Sequence, residues 1–226
     1  SGTGAGDLYD ISFMPVTYPL KIADAPLGVH SMFSHEREEC EAGYYKVHLD
    51  SYGIDVELTA TERCGIQRYT YPTDTATVLL NLGKATNWDA TTDTYIKKVD
   101  DYTIEGYRYS NGWARKQQVY FRTRFSHPIA TMQCDSISIH AGTETKKVAG
   151  TTRFTFVLDN DRQLTVVTAL SGTGLEGAEK NLAAEAPDNN FDKFLKKTQD
   201  DWNSRLSRIK VKGGTHDEQV CFYTAL

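Results

Sequence analysis

The run from Gly43 to Pro72, GYYKVHLDSYGIDVELTATERCGIQRYTYP, constrains the fold more than any other part of the chain. Tyr45, Val47 and Leu49 alternate with Lys46, His48 and Asp50; Ile54, Val56, Leu58 and Ala60 alternate with Asp55, Glu57, Thr59 and Thr61. A period of two sends one set of side chains into a core and the other toward water. Ser51-Tyr52-Gly53 and Arg63-Cys64-Gly65 are short and hold glycine, so the three strands are expected to pair as antiparallel hairpins. A meander of this kind buries one face and needs a second sheet to cover it.

The rest of the chain extends the pattern. Ile11 to Pro15 reads as a short strand, and Thr17 to Ser34 as a strand with irregular flanks. Glu36 to Glu41 reads as an acidic loop, and ATVLLNL from Ala76 as a fully buried strand. Asn87 to Thr94 is expected to be a loop. A hairpin of Thr94 to Val99 with Tyr102 to Tyr109 follows, then a half-buried strand over Val119 to Phe125. Ile129 to His140 holds one or two strands, and Gly142 to Gly150 reads as a polar loop. Arg153 to Leu158 and Gln163 to Leu170 are expected to form a hairpin around Asp159-Asn160-Asp161. From Gly174 the period changes to that of a helix, which Pro187 ends. A second helix carries the stripe Phe191, Phe194, Leu195, Thr198, Trp202, Leu206, with Asn190 as its N-cap and Trp202 expected in the core. Ile209 to Val211 reads as a short strand, and Thr215 with Glu218 as a capping box opening a last helix. The expected fold is mainly β: an antiparallel β-sandwich of the super-sandwich type over residues 1–170, followed over 171–226 by two or three α-helices.

Bulk chemistry excludes several functions. A net charge of −5 with scattered basic residues argues against nucleic acid and against an anionic membrane surface. No apolar run approaches the roughly 20 residues that span a bilayer. Cysteines stand at 40, 64, 134 and 221, without the close spacing of a zinc site, and are expected to be separate thiols. Motifs of serine hydrolases, zinc proteases, P-loops and dinucleotide-binding folds are absent; Gly2 to Gly6 is glycine-rich but lacks the P-loop lysine.

The central run resembles the N-terminal β-sandwich domain of glycoside hydrolase family 92, the calcium-dependent exo-α-mannosidases best known from gut Bacteroides. Four further stretches agree, in the family's order: SGTGAGDLYDISFMP from Ser1, DDYTIEGYRYSNGWARKQQVYFRTRFSHP from Asp100, GLEGAEKNLAAE from Gly174 and GGTHDEQVCFYTAL from Gly213. The resemblance implies the N-terminal part of an inverting exo-α-mannosidase, cut from a longer protein at both ends. Its partners would be its own C-terminal helical domain and mannose-containing glycans, and the protein would be exported to the periplasm or cell surface. It also implies that the catalytic acid and base and the Ca2+ ligands belong to that helical domain. No catalytic residue and no metal ligand are then expected in this chain, which alone should be inactive.

Within the chain the Ser1 to Asp7 loop is the first candidate for sugar contact, since in the family it lies near the domain interface. Gly2 and Gly4 let backbone approach a ligand, and Ser1 and Thr3 can hydrogen-bond hydroxyls. Trp88, in a polar stretch, could offer an indole face to a sugar ring, and His35 could face a ligand. Trp113 reads as structural, Arg63 as a structural ion pair with an acidic partner across the sheet rather than an interface residue, His127 as a turn cap or a solvated side chain, and Glu36, Glu38, Glu39 and Glu41 as a solvated surface without the pattern of a calcium loop. The alternative function is a stand-alone carbohydrate-binding sandwich, which would present two or three coplanar aromatics on one face.

Overall fold

The computed structural model describes residues 10–17, 29–83, 89–112, 114–134, 137–138, 142, 144–147 and 150–225. Among them lie fourteen strands, three α-helices and a single 3-10 turn at His35–Arg37. The strands are β1 (Ser12–Val16), β2 (Glu38–Glu41), β3 (Tyr44–Leu49), β4 (Ile54–Ala60), β5 (Cys64–Thr70), β6 (Thr75–Asn81) and β7 (Ala90–Lys98). They continue with β8 (Thr103–Asn111), β9 (Gln117–Phe125), β10 (Thr131–Cys134), β11 (Ile137–Ser138), β12 (Glu144–Lys147), β13 (Thr151–Val157) and β14 (Gln163–Ser171). The helices are α1 (Leu175–Glu185), α2 (Phe191–Leu206) and α3 (His216–Thr224).

Two antiparallel sheets face each other, a small one ordered β1-β6-β13-β10-β11 and a large one ordered β12-β7-β8-β9-β14-β5-β4-β3-β2. The expected meander is present, with Val47 opposite Val56 and Val56 opposite Tyr69 across β3, β4 and β5. Ile54, Val56, Tyr69, Ile104, Phe121, Phe125 and Leu164 of the large sheet close on Val78, Leu80, Met132, Phe154 and Phe156 of the small one. Phe125 sits between the rings of Phe154 and Phe156, with centroids 5.4 and 4.9 Å away. β6 is buried from Ala76 to Leu80, as a run apolar but for Thr77 requires.

The large sheet is covered on its other face as well. Cys64, Ile66, Val167 and Ala169 pack against Leu182 and Ala186 of the first helical segment and Phe191 and Phe194 of α2. Val166 and Val167, adjacent in β14, therefore enter different cores. Arg124 on β9 fixes the turn between the helices, donating to Ala186 O at 2.7 Å, Asp188 O at 2.5 Å and Asn189 Oδ1 at 2.8 Å. Asn190 caps α2 by accepting from Lys193 N, and Thr215 and Glu218 form the capping box of α3. Thr198 Oγ1 donates to Ala60 O at 2.9 Å, docking α2 against the end of β4.

Several expectations are corrected. β13 and β14 do not form a hairpin: β13 pairs with β6 and β10, and β14 with β5 and β9. The polar turn between them is a corner where the chain crosses from one layer to the other, with Arg162 at φ 55°. Turn chemistry is the same whether the chain pairs with itself or changes sheet. The stretches expected as an acidic loop and a polar loop contain β2 and β12, the two edges of the large sheet. An edge strand needs backbone bonds on one side only and can be charged throughout. Likewise β7 already begins at Ala90, inside the stretch expected as a loop. Ile209 to Val211 is irregular and exposed rather than a strand, and Tyr223 Oη binds its backbone at both ends. No strand occurs among the described residues 29–34. Trp202 lies over Gly43 but remains 45% exposed, outside either core. All four cysteines are free thiols. No described helix is long and apolar enough to cross a membrane.

Candidate functional site

Ser1, Gly2, Thr3, Gly4, Trp88 and Trp113 lie outside the described residues. The residues that follow two of those stretches, Asp10 and Asp89, are described, and they meet. Strand β8 alternates inward-facing Ile104, Gly106, Arg108 and Ser110, so a guanidinium enters the interior with no exposed surface. On the same face Gly106 leaves room for its strand neighbours: a Cβ there would stand 2.2 Å from Tyr95 O and 2.7 Å from Phe121 Cζ. Arg108 donates Nη1 to Asp10 Oδ1 and to Asp89 Oδ2 (2.8 Å), Nη2 to Asp89 Oδ1 (3.0 Å) and Thr91 Oγ1 (2.7 Å), and Nε to Leu82 O (3.0 Å).

One cation thus holds two carboxylates in the interior, and their surroundings separate them. At Asp10 burial outweighs the guanidinium and pushes the carboxyl above the usual range. At Asp89 the hydrogen bonds from Arg108 come first and hold it below. Asp10 has a further partner, Gln117 Nε2, at 2.6 Å.

Gln117 opens β9 and lines a groove of about 860 Å³ at this end of the large sheet. Its lining includes apolar Ala114, Val119 and Leu170, the last 40% exposed. Its walls carry Arg63 from the β4–β5 turn, Ser171 and Thr173 past β14, and Asn181 of α1. The turn is latched to α1 by Glu185, which accepts from Thr61 Oγ1 at 2.6 Å and Arg63 N at 2.9 Å and pairs with Arg63 Nε at 2.5 Å. Burial alone would push Glu185 up; the Thr61 hydroxyl and the Arg63 amide and guanidinium hold it below the usual carboxylate range. Arg63 therefore makes the expected ion pair, though with α1 rather than across the sheet, and its side chain is still 54% exposed at the groove. On the other side of the same turn a second cleft of about 540 Å³ is lined by Lys197, Asp201, Trp202 and Arg205. An apolar lining with a few donors and acceptors suits a neutral polyol.

Strand register places the other candidates. Glu41 opposes Tyr44, Tyr45 opposes Leu58 and Ala60 opposes Gly65, so the groove lies at the Tyr44–Ala60–Gly65 end. His35 precedes β2 at the opposite end, largely exposed, paired with Glu38 Oε2 at 2.5 Å and edge-on to Phe33. The structure does not bring it to the groove. His127 bridges Ser126 Oγ and Asp159 in a turn. The large sheet does carry an aromatic row, Tyr95, Tyr107 and Tyr109, but the rings stack face to face, 5.3 and 4.3 Å between centroids. Stacked rings spend their faces on each other rather than presenting a plane. Among the described residues no three His, Cys, Asp or Glu side chains come together as a metal site.

Sequence reasoning missed Arg108 and Gln117. The available signal was parity: Arg108 shares the inward face with Ile104 and Gly106, where a cation requires a buried partner. The groove is lined from three of the five stretches that carry the family resemblance, by the β4–β5 turn of the central run, Gln117 of the third and Asn181 of the fourth, and Asp10 of the first bonds Gln117.

Residues 1–171 match the glycosyl hydrolase family 92 N-terminal domain, and residues 177–226 match the glycosyl hydrolase family 92 catalytic domain. The chain belongs to glycosyl hydrolase family 92. Among solved structures it is similar to the family GH92 alpha-mannosidase BT3965 from Bacteroides thetaiotaomicron, at TM-score 0.84 and 27% identity over 94% of this chain and 31% of that one. The complex of that enzyme with mannoimidazole gives TM-score 0.85 and 27% identity over 95% and 30% of the two chains. The family GH92 inverting mannosidase BT2199 from the same organism shares the fold, at TM-score 0.75 and 24% identity over 91% and 27%. The chain thus spans about a third of the length of the enzymes it matches. Among curated proteins, none matches it.

Proposed function

We propose that this family 92 chain is the N-terminal part of an inverting exo-α-mannosidase. The groove end of its large sheet walls one side of the mannose pocket, and its helices orient the rest of the catalytic domain. The observation that carries this reading is the convergence on Arg108 of Asp10 and Asp89, which follow the glycine-rich and Trp88 stretches in sequence, with Gln117 of the groove bonded to Asp10. On this reading Ser1, Gly2, Thr3, Gly4 and Trp88 contact sugar at that end, and His35 has no part in it.

Glycoside hydrolysis with inversion needs a carboxylic acid at the leaving oxygen and a carboxylate that activates water on the opposite face. Neither is assigned to a residue of this chain. Both, with the Ca2+ ligands, are proposed to come from the part of the catalytic domain beyond residue 226. Trp202, Ile209, Val211 and Val220 support a docking role, since these large apolar side chains of the helical region are 45%, 48%, 37% and 48% exposed. The stacking of Tyr95, Tyr107 and Tyr109 gives the stand-alone sugar-binding reading little support. Export to the periplasm or cell surface belongs to the same proposal.

The test is hydrolysis of an α-mannoside by the protein extended through its catalytic domain, with product anomers followed by NMR and with chelator as a control. Release of β-mannose first, lost on chelation, is expected. Release of mannose by residues 1–226 alone would overturn the placement of the chemistry.

A further inference from the structure

The Gln117 side chain is oriented by chemistry that leaves one of its atoms unused. Its amide nitrogen donates to Asp10 Oδ2 at 2.6 Å. The reverse orientation would set a carbonyl oxygen against a carboxylate, so the amide has one way to lie. Asp10 cannot turn to accommodate another, because its second oxygen is held by Arg108. Arg108 is held in turn by both oxygens of Asp89, by Thr91 Oγ1 and by Leu82 O. A chain of charge-assisted bonds therefore runs from the buried Arg108 on β8 to a residue lining the groove. At its end the amide oxygen of half-buried Gln117 has no hydrogen-bond partner among the described residues, and it is not a sealed, unsatisfied atom.

We propose that Gln117 is a specificity-determining residue of this glycosidase: its amide oxygen accepts a hydroxyl of the sugar in the groove, and Arg108, acting through Asp10, is the positioning residue that keeps it turned that way. The inference rests on the mannosidase reading and deepens it. A carbonyl oxygen only accepts, so the group it recognises must donate, as a hydroxyl does and a ring or glycosidic oxygen does not. The apolar lining residues Ala114, Val119 and Leu170 take the C–H face of the same ring. A site built around a hydroxyl discriminates strongly against a substrate lacking it, because its acceptor is then left unpaired.

The experiment uses the enzyme extended through its catalytic domain and a set of α-mannosides, each lacking one hydroxyl. For Gln117→Ala, kcat/KM on the parent mannoside is expected to fall about five- to tenfold, mainly through KM, the size of one neutral hydrogen bond. Against the one deoxy-mannoside lacking the partner hydroxyl, the variant and wild type should be equal. Arg108→Lys, which cannot grip two carboxylates as a fork, should show the same pattern across the set. Gln117→Ala removes one bond to Asp10 but leaves Arg108 holding both Asp10 and Asp89, so its melting should fall far less than that of Arg108→Ala. An equal loss on every substrate, or no loss on any, would overturn the proposal while leaving the mannosidase reading standing. A wild-type enzyme that cleaves no α-mannoside would overturn that reading and this inference together.

Discussion

Replacing Arg108 with alanine would leave Asp10 and Asp89 facing each other in the interior with no cation between them. Arg108 has no exposed surface, and the side chains of Asp10 and Asp89 are 3% and 9% exposed, so water does not substitute for it. Removing one partner of a buried ion pair costs about 3–5 kcal/mol, chiefly from the charge left behind. At about 2–4 °C per kcal/mol for a chain of this size, melting should fall by about 6–20 °C. The pH dependence follows from the same charges. Without Arg108 both carboxyls would titrate above their unfolded values, Asp10 being raised already by burial. A folded state that binds protons the unfolded state does not is stabilised as pH falls, so the deficit should be smaller at pH 5 than at pH 7. Thermal melts of wild type and Arg108→Ala at both pH values make the comparison. A loss under about 3 °C, or a deficit that widens toward pH 5, would refute the reasoning.

Two further outcomes test the packing. Gly106→Ala forces a methyl against Tyr95 O and the Phe121 ring, and should cost about 1–3 kcal/mol in urea unfolding; an unchanged midpoint would mean that the strand can shift without cost. In native protein at pH 8 a disulfide reagent should titrate exposed Cys40 and Cys221 at once, while Cys64, its thiol pushed up by burial to about 11, and buried Cys134 react only on unfolding; rapid reaction of Cys64 would contradict its packing under α1.

The sequence made the interior of the large sheet legible because β3, β4, β5 and β9 alternate, with one face committed to a core. It made α2 and α3 legible through Asn190 and the Thr215–Glu218 box, which are local bonds. The edges β2 and β12 were not legible, since a strand bonded on one side buries too little to select apolar residues. The β13–β14 corner was not legible because Asp159 to Asp161 makes the same turn in a hairpin or between layers. Trp202 continues a helical stripe that Phe191 and Phe194 begin, yet the core beneath α2 ends at Thr198; periodicity shows which face is apolar, not what covers it. At the site, Arg63 was recognisable as an ion pair, whereas Arg108, Asp10 and Gln117 are far apart in sequence and join only through β-sheet register.

The most direct test of the central claim is reconstitution. The 226-residue chain and the remainder of the family 92 catalytic domain would be produced separately, then assayed for α-mannoside hydrolysis alone and mixed. Activity only in the mixture, lost on chelation, is the predicted result. Full activity of the second piece without this chain would contradict the claim that the groove end walls the mannose pocket.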